Sequence, residues 1–138
     1  MDKTLKEEAL ALARETGTAA IASVENDGPW IRIMAHAKID DDFTLWYATF
    51  SFSNKIRQFE KNNRVCVVFY KNPFYLRLFG KVDMVRDQNL KGRMWRDQWM
   101  QYFKGGKEDP TYTLFKVIPE KIEYRNKEKY GPVAKDLL

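Results

Sequence analysis

Apolar positions recur along the chain with two periods, and the switches between them lay out the elements. Leu5, Ala9, Leu12 and Ala13 fall at helical spacing behind Thr4-Leu5-Lys6-Glu7, which has the spacing of a capping box. Gly17 predicts a left-handed stop to that helix. Thr18–Val24 then reads as a short buried strand, Asn26-Asp27-Gly28-Pro29 as a turn, and Trp30–Ile39 as the returning strand of a hairpin. In that second strand Ile31, Ile33, Ala35, Ala37 and Ile39 take one face, and Trp30, Arg32, Met34, His36 and Lys38 take the other.

Asp40-Asp41-Asp42 reads as a turn before a third strand, Phe43–Phe50. Ser51–Asn54 leads into a short helix, Lys55–Lys61, with Ile56 and Phe59 inward and Asn62-Asn63 at its end. Arg64–Tyr70 is a valine-rich run of the kind found in central strands, and Tyr75–Val85 follows the break at Asn72-Pro73. Gln88–Phe103 reads as one helix with apolar residues over more than one face, a width that fits packing against two surfaces, one of them a second subunit. After the loop signals Gly105-Gly106 and Asp109-Pro110 comes a last strand, Tyr112–Tyr124, interrupted by Pro119. Antiparallel hairpins without repeated strand–helix alternation define the class as mainly β with α. The architecture expected is an antiparallel barrel of about six strands with about three peripheral helices. One domain over residues 1–125 and a charged C-terminal tail over 126–138 complete this layout.

Composition supports a core and narrows the setting. Of 138 residues, 44% are hydrophobic and 14% aromatic, so the chain needs neither a disulfide nor a metal staple. Met1–Glu8 is polar and charged, and no apolar run approaches the roughly 18 residues of a membrane span, so no leader or membrane partner is expected and the setting is cytoplasmic. The 24 Lys+Arg against 19 Asp+Glu give a net charge of +5, which fits an anionic partner, either nucleic acid or a small phosphorylated ligand.

Most familiar catalytic constellations are missing. One histidine and one cysteine exclude a Cys/His zinc cluster, and neither a glycine-rich phosphate loop nor a G-x-S-x-G elbow occurs. Cys66, inside Val65-Cys66-Val67-Val68, reads as an inert core thiol rather than a nucleophile served by His36. Asp40–Asp42 reads as a solvated tip rather than a cation site. Arg32, His36 and Lys38 share a strand face that is either solvated or an anion site, since three basic groups cannot enter a core without a counter-charge. Thr49, Ser53 and Lys55 gather at the start of a helix, where free N–H groups attract phosphate. The bland alternative is that Ser53 only caps the helix and Lys55 is solvated.

The order of these residues resembles the pyridoxamine 5′-phosphate oxidase-like flavoprotein superfamily. The likeness runs through Arg32-Ile33-Met34, Trp46-Tyr47-Ala48-Thr49, Ser53-Asn54-Lys55, Asn63-Arg64-Val65 and Leu78-Phe79-Gly80-Lys81-Val82. Tyr102–Pro110 and Val117–Tyr124 are similar to the short bacterial general-stress branch, and the whole match covers residues 5 to 125. The resemblance implies a split β-barrel homodimer with FMN at the subunit interface. It implies that Lys55 and Arg32 neutralise the FMN phosphate, helped by Thr49 and the Ser53-Asn54 segment. The backbone of Ile33-Met34 and Tyr47-Ala48 would line the isoalloxazine, with Arg77 beside it and Trp95 and Trp99 closing the slot from the partner chain. The activity implied is an FMN-dependent oxidoreductase using a small-molecule electron donor or acceptor. The oxidases' C-terminal Arg-x-His signature is absent from Arg125-Asn126-Lys127-Glu128-Lys129, so oxidation of pyridoxamine phosphate is not expected. A non-catalytic flavin or haem sensor, with His36 as haem ligand, is the alternative. A single-stranded nucleic-acid module built on Tyr75-Leu76-Arg77-Leu78-Phe79 with Trp95 and Trp99 ranks last, because the chain has no Lys/Arg run.

Overall fold

The computed structural model describes residues 3–26, 28–126 and 130–132. Helix α1 (Lys3–Thr16) stops at Gly17, whose φ of 72° is the left-handed conformation its position predicts. Thr4 already lies within the helix, so it is not the capping residue that its spacing to Glu7 predicts. Strands β1 (Thr18–Glu25), β2 (Gly28–Ala35), β3 (Lys38–Ile39) and β4 (Leu45–Phe50) follow, then α2 (Asn54–Lys61), β5 (Arg64–Lys71) and β6 (Phe74–Val85). Helix α3 (Gln88–Met94) and 3-10 turns at Asp97–Gln101 and Gly106–Glu108 lead to β7 (Tyr112–Arg125) and β8 (Tyr130–Pro132).

All strands pair antiparallel in one sheet, in the order β2-β1-β5-β6-β7-β4-β3, with β8 beside β7. The strand count exceeds the expected six for two reasons. The long second strand breaks at His36-Ala37 into β2 and β3, and part of the tail, Tyr130–Pro132, adds a strand against Glu123–Arg125. The edge strands β2 and β3 are thus neighbours in the chain, so the sheet curls until its edges meet. The Ala37 N–H donates to the Trp46 carbonyl at 2.7 Å, which carries the β3–β4 ladder up to the link that joins the two edges. This is a split barrel.

Its interior is filled from alternate positions of every long strand, including Ile21, Leu45, Tyr47, Val67, Phe69, Leu78, Phe115 and Ile122, with Ile56 and Phe59 of α2 packed among them. The Tyr47 hydroxyl is buried there without a hydrogen-bond partner, and burial pushes its pKa far above the ordinary tyrosine value. Removing an unsatisfied polar atom relieves a desolvation cost, so Tyr47→Phe is expected to hold or raise stability, by up to about 1 kcal/mol in chemical denaturation. A loss above that size would show that the hydroxyl has a partner in solution.

Three expectations are corrected. The apolar row of β2 faces out: Ile31 and Ile33 are 69% and 68% exposed, while Arg32 and Met34 turn inward opposite Ile21 and Ala19. Beyond the break at His36-Ala37, Ala37 and Ile39 are buried. The predicted 88–103 helix ends at Met94, because Trp95 and Arg96 adopt extended ψ values of 142° and 133° and Trp95 turns onto Tyr112 and Phe103. Trp95 and Trp99 consequently pack against a small aromatic cluster of Phe103, Tyr112 and Leu114 rather than standing free to stack on bases. Cys66 lies on the outer face of the sheet, paired with Ala22 and Phe79, not in the core; burial there still pushes its thiol pKa up, which keeps it unreactive.

Candidate functional site

The seam opens into a cleft of about 480 Å³, within the roughly 300–1,000 Å³ range of small-molecule sites. One wall is the end of β2 with the His36-Ala37 link, and the floor is Ala48, Thr49 and Phe50 of β4. The far wall is the segment after α3, which contributes Arg96, Gln98, Trp99, Tyr102 and Phe103. One anchor holds α3 and a second holds the segment after it. The Tyr112 hydroxyl donates to the Lys91 carbonyl at 3.0 Å, and Arg96 donates to the Ala37 carbonyl while its guanidinium lies 5.7 Å from the centre of the Trp99 ring.

Lys55, on the first turn of α2, closes the other end. Its ammonium donates to Thr49 Oγ1 at 2.9 Å and Ser53 Oγ at 2.7 Å. Ser53 occupies the N-cap position without a side-chain cap hydrogen bond, so its hydroxyl serves Lys55 instead of the helix. Burial, followed by the nearby charge of Arg32, holds the Lys55 pKa below the ordinary lysine value. Among the described residues, no Asp or Glu lines the cleft and none pairs with Lys55. A half-buried cation held only by neutral hydroxyls calls for an anionic ligand.

At the opposite end, His36 sets its ring edge-on to buried Phe69, 6.0 Å between centroids. Its Nδ1 is buried without a hydrogen-bond partner, and burial with the charge of Arg96 lowers its pKa, favouring the neutral imidazole. His36 and Cys66 occupy opposite faces of the sheet and form no nucleophile pair. The Asp40–Asp42 tip is occupied by other work: Asp40 accepts from the Trp46 indole at 2.8 Å and pairs with Lys38 at 3.1 Å, and Asp41 pairs with Arg14 at 2.9 Å. No group of three or more metal-ligating side chains occurs among the described residues.

Of the residues singled out in the sequence, the cleft brings together Ile33, Met34, Ala48, Thr49, Lys55 and Trp99, with Ser53 bonded to Lys55 at its rim. Others lie elsewhere in the chain. Arg32 points under β1 toward α2, the Tyr47 side chain is core, Asn54 is exposed, and Trp95 lies behind Trp99 in the aromatic cluster. Arg77 sits on the outer sheet face, 2.8 Å from Glu123. Arg96, Gln98, Tyr102 and Phe103 are not among the expected site residues, because a continuous helix over 88–103 hides the extended residue that turns Arg96 into the cleft.

The fold is a split barrel with a cleft at its seam, and the family model for pyridoxamine 5′-phosphate oxidase matches residues 5–126, so the chain belongs to that family. Within it the chain is similar to general stress proteins. It is 23% identical to general stress protein 26 of Bacillus subtilis, with 96% of each chain covered. A general stress protein 26-related structure from Clostridium acetobutylicum superposes with a TM-score of 0.86 at 24% identity, over 99% of this chain and 98% of that one. More distantly, the fold is shared with a pyridoxamine 5′-phosphate oxidase-related, FMN binding protein of Nostoc punctiforme (TM-score 0.71, 16% identity, 96% of both chains). It is also shared with a heme binding protein of Mycobacterium smegmatis (0.77, 11%, 99% of this chain and 60% of that one). No helix among the described residues is long and apolar enough to cross a membrane.

Proposed function

We propose that the protein is a cytoplasmic, homodimeric FMN-binding oxidoreductase acting on a small-molecule electron donor or acceptor. The observation that carries this reading is the Lys55 ammonium, fixed by Thr49 and Ser53 in a cleft without a carboxylate. Those three groups would hold a phosphate, while Met34, Ala48 and Trp99 offer apolar surface to a flat ring. Bound there, FMN would supply hydride or electron transfer, which no side chain of the cleft can perform. The chain's own residues would anchor, orient and shield it from water. Family membership and the FMN binding relative of the same fold support the choice of ligand.

The dimer reading rests on the outer sheet face. Cross-strand pairing aligns Ile31, Ala22, Cys66 and Phe79 in one row and Ile33, Ala20, Val68 and Arg77 in the next. Exposed isoleucines at the β2 end of both rows mark a protein contact. Ile33 belongs both to this face and to the cleft, which would put the cofactor at the interface. Ile31 lies outside the cleft, so Ile31→Glu is expected to give a monomer in sedimentation velocity and to release flavin through lost contacts alone. A dimeric Ile31→Glu protein would remove this face from the interface.

The test of the cofactor is the visible spectrum of the purified protein, repeated after adding FMN and gel filtration. Flavin bands that travel with the protein are expected. Protein that neither carries nor takes up FMN would end the reading. A Soret band would favour haem instead, a second reading supported by the buried, unpartnered Nδ1 of His36 and by the heme binding relative.

A further inference from the structure

Behind the Lys55 end of the cleft lies a buried polar network that the site description leaves unused. Gln58, one turn after Lys55 on α2, is 1% exposed, and both ends of its carboxamide are hydrogen-bonded. Oε1 accepts from Arg32 Nη2 at 2.5 Å and from Ser23 Oγ at 2.9 Å, and Nε2 donates to Glu25 Oε2 at 3.1 Å. Arg32 Nη1 donates to Ser23 Oγ at 2.9 Å and to the Ile21 carbonyl at 3.2 Å, and the guanidinium lies 5.8 Å from the centre of the Phe59 ring. Each of these Arg32 partners is neutral. The nearest carboxylate in the network, Glu25, is separated from it by Gln58 and already pairs with Arg57 at 2.6 Å.

A guanidinium usually enters a partly buried site with a carboxylate. Here a neutral carboxamide satisfies the donors and leaves the charge uncancelled. That uncompensated charge reaches Lys55, whose pKa it helps to lower. Two positive charges that disfavour each other in the free protein are relieved together by one doubly charged anion, and only weakly by a neutral ligand.

Resting on the flavin reading above, we propose that Gln58 is a positioning residue that holds Arg32 as a second, partly buried cation behind Lys55. The site thereby selects a terminal phosphate dianion over the same ring system without phosphate. Gln58 touches no part of the cleft; it acts through Arg32. Glutamate at this position would hold the guanidinium and cancel its charge, whereas methionine would leave the guanidinium unheld.

The experiment compares dissociation constants for FMN and for riboflavin, measured by flavin fluorescence in wild type, Gln58→Glu and Gln58→Met. Wild type is expected to prefer FMN. Both variants are expected to lose about tenfold of that preference, with riboflavin affinity nearly unchanged, because only the phosphate senses the missing charge. Near-UV circular dichroism identifies a variant that fails to fold, and the other then decides. Equal weakening for both flavins, or an unchanged preference in a folded variant, overturns the proposal while leaving the flavin site intact. Wild type that binds neither flavin overturns the flavin reading and the proposal with it.

Discussion

Lys55→Ala is expected to weaken FMN binding by about a hundredfold while changing riboflavin affinity by less than about threefold. A hydrogen bond to a charged group is worth roughly 1.5–3 kcal/mol, and each 1.4 kcal/mol is tenfold in affinity. Losing the Lys55 ammonium therefore removes between one and two orders of magnitude directly, and the Thr49 and Ser53 hydroxyls lose the group that aligns them. Lys55→Arg keeps the charge on a longer, planar head and should recover part of the loss. The pH dependence has a definite sign. The phosphate is held by the protonated amine, so affinity falls as pH rises through the Lys55 pKa. Burial and Arg32 place that pKa below the ordinary 10.5, so in the free protein the fall begins at lower pH than an exposed lysine would give. A bound dianion opposes deprotonation, so the Lys55 pKa is higher in the loaded protein, and the fall in affinity that starts at the free-state pKa levels off above the bound-state one. Titrations with FMN from neutral to alkaline pH check both statements.

Gly80→Ala is expected to cost about 3 kcal/mol or more, lowering the midpoint of thermal unfolding by roughly 10 °C. The β6–β7 register shifts between Phe79 and Gly80, and the two chains approach so closely there that an added Cβ would sit 2.4 Å from the Ile118 carbonyl oxygen and 3.0 Å from Val117 Cγ1. The obstacle is backbone, not the end of a flexible side chain, so the longest strand pair of the barrel must move apart. β7 also carries β4, the floor of the cleft, so flavin affinity should fall with stability. A loss below about 1 kcal/mol would show that the bulge relaxes without cost.

The same two positions show what could be read from the chain. Lys55 and Gly80 both stand in short ordered segments, and local order survives folding. The strands β1 and β4 to β7, helix α2 and the Gly17 stop all follow from period and punctuation close to where they occur. The face of β2 did not follow. Apolar residues are assigned inward by default, yet a surface that meets another protein carries the same side chains, and Ile31 and Ile33 look alike in either setting. Arg96 was hidden for a different reason. Its place depends on Trp95 leaving the helix to pack on Tyr112, a contact across 17 positions that helical spacing over 88–103 does not encode. Likewise the inward turn of Arg32 depends on Gln58, 26 positions away, whose carboxamide satisfies donors that would otherwise have to stay in water.

The seam between β2 and β3 has a consequence for handling the chain in the cell. The two edges of the sheet are joined by the covalent link at His36-Ala37, so β2 is laddered to β1 along one side and leaves a row of backbone donors and acceptors bare along the other. A bare edge carrying Ile31 and Ile33 is a template on which any extended segment can add a strand. A chain newly made, without cofactor and without a partner, is on this geometry the aggregation-prone species. If the chain takes up flavin and pairs with a second copy as proposed, its soluble yield on expression should rise with flavin supply and chain concentration, because both would cover this edge.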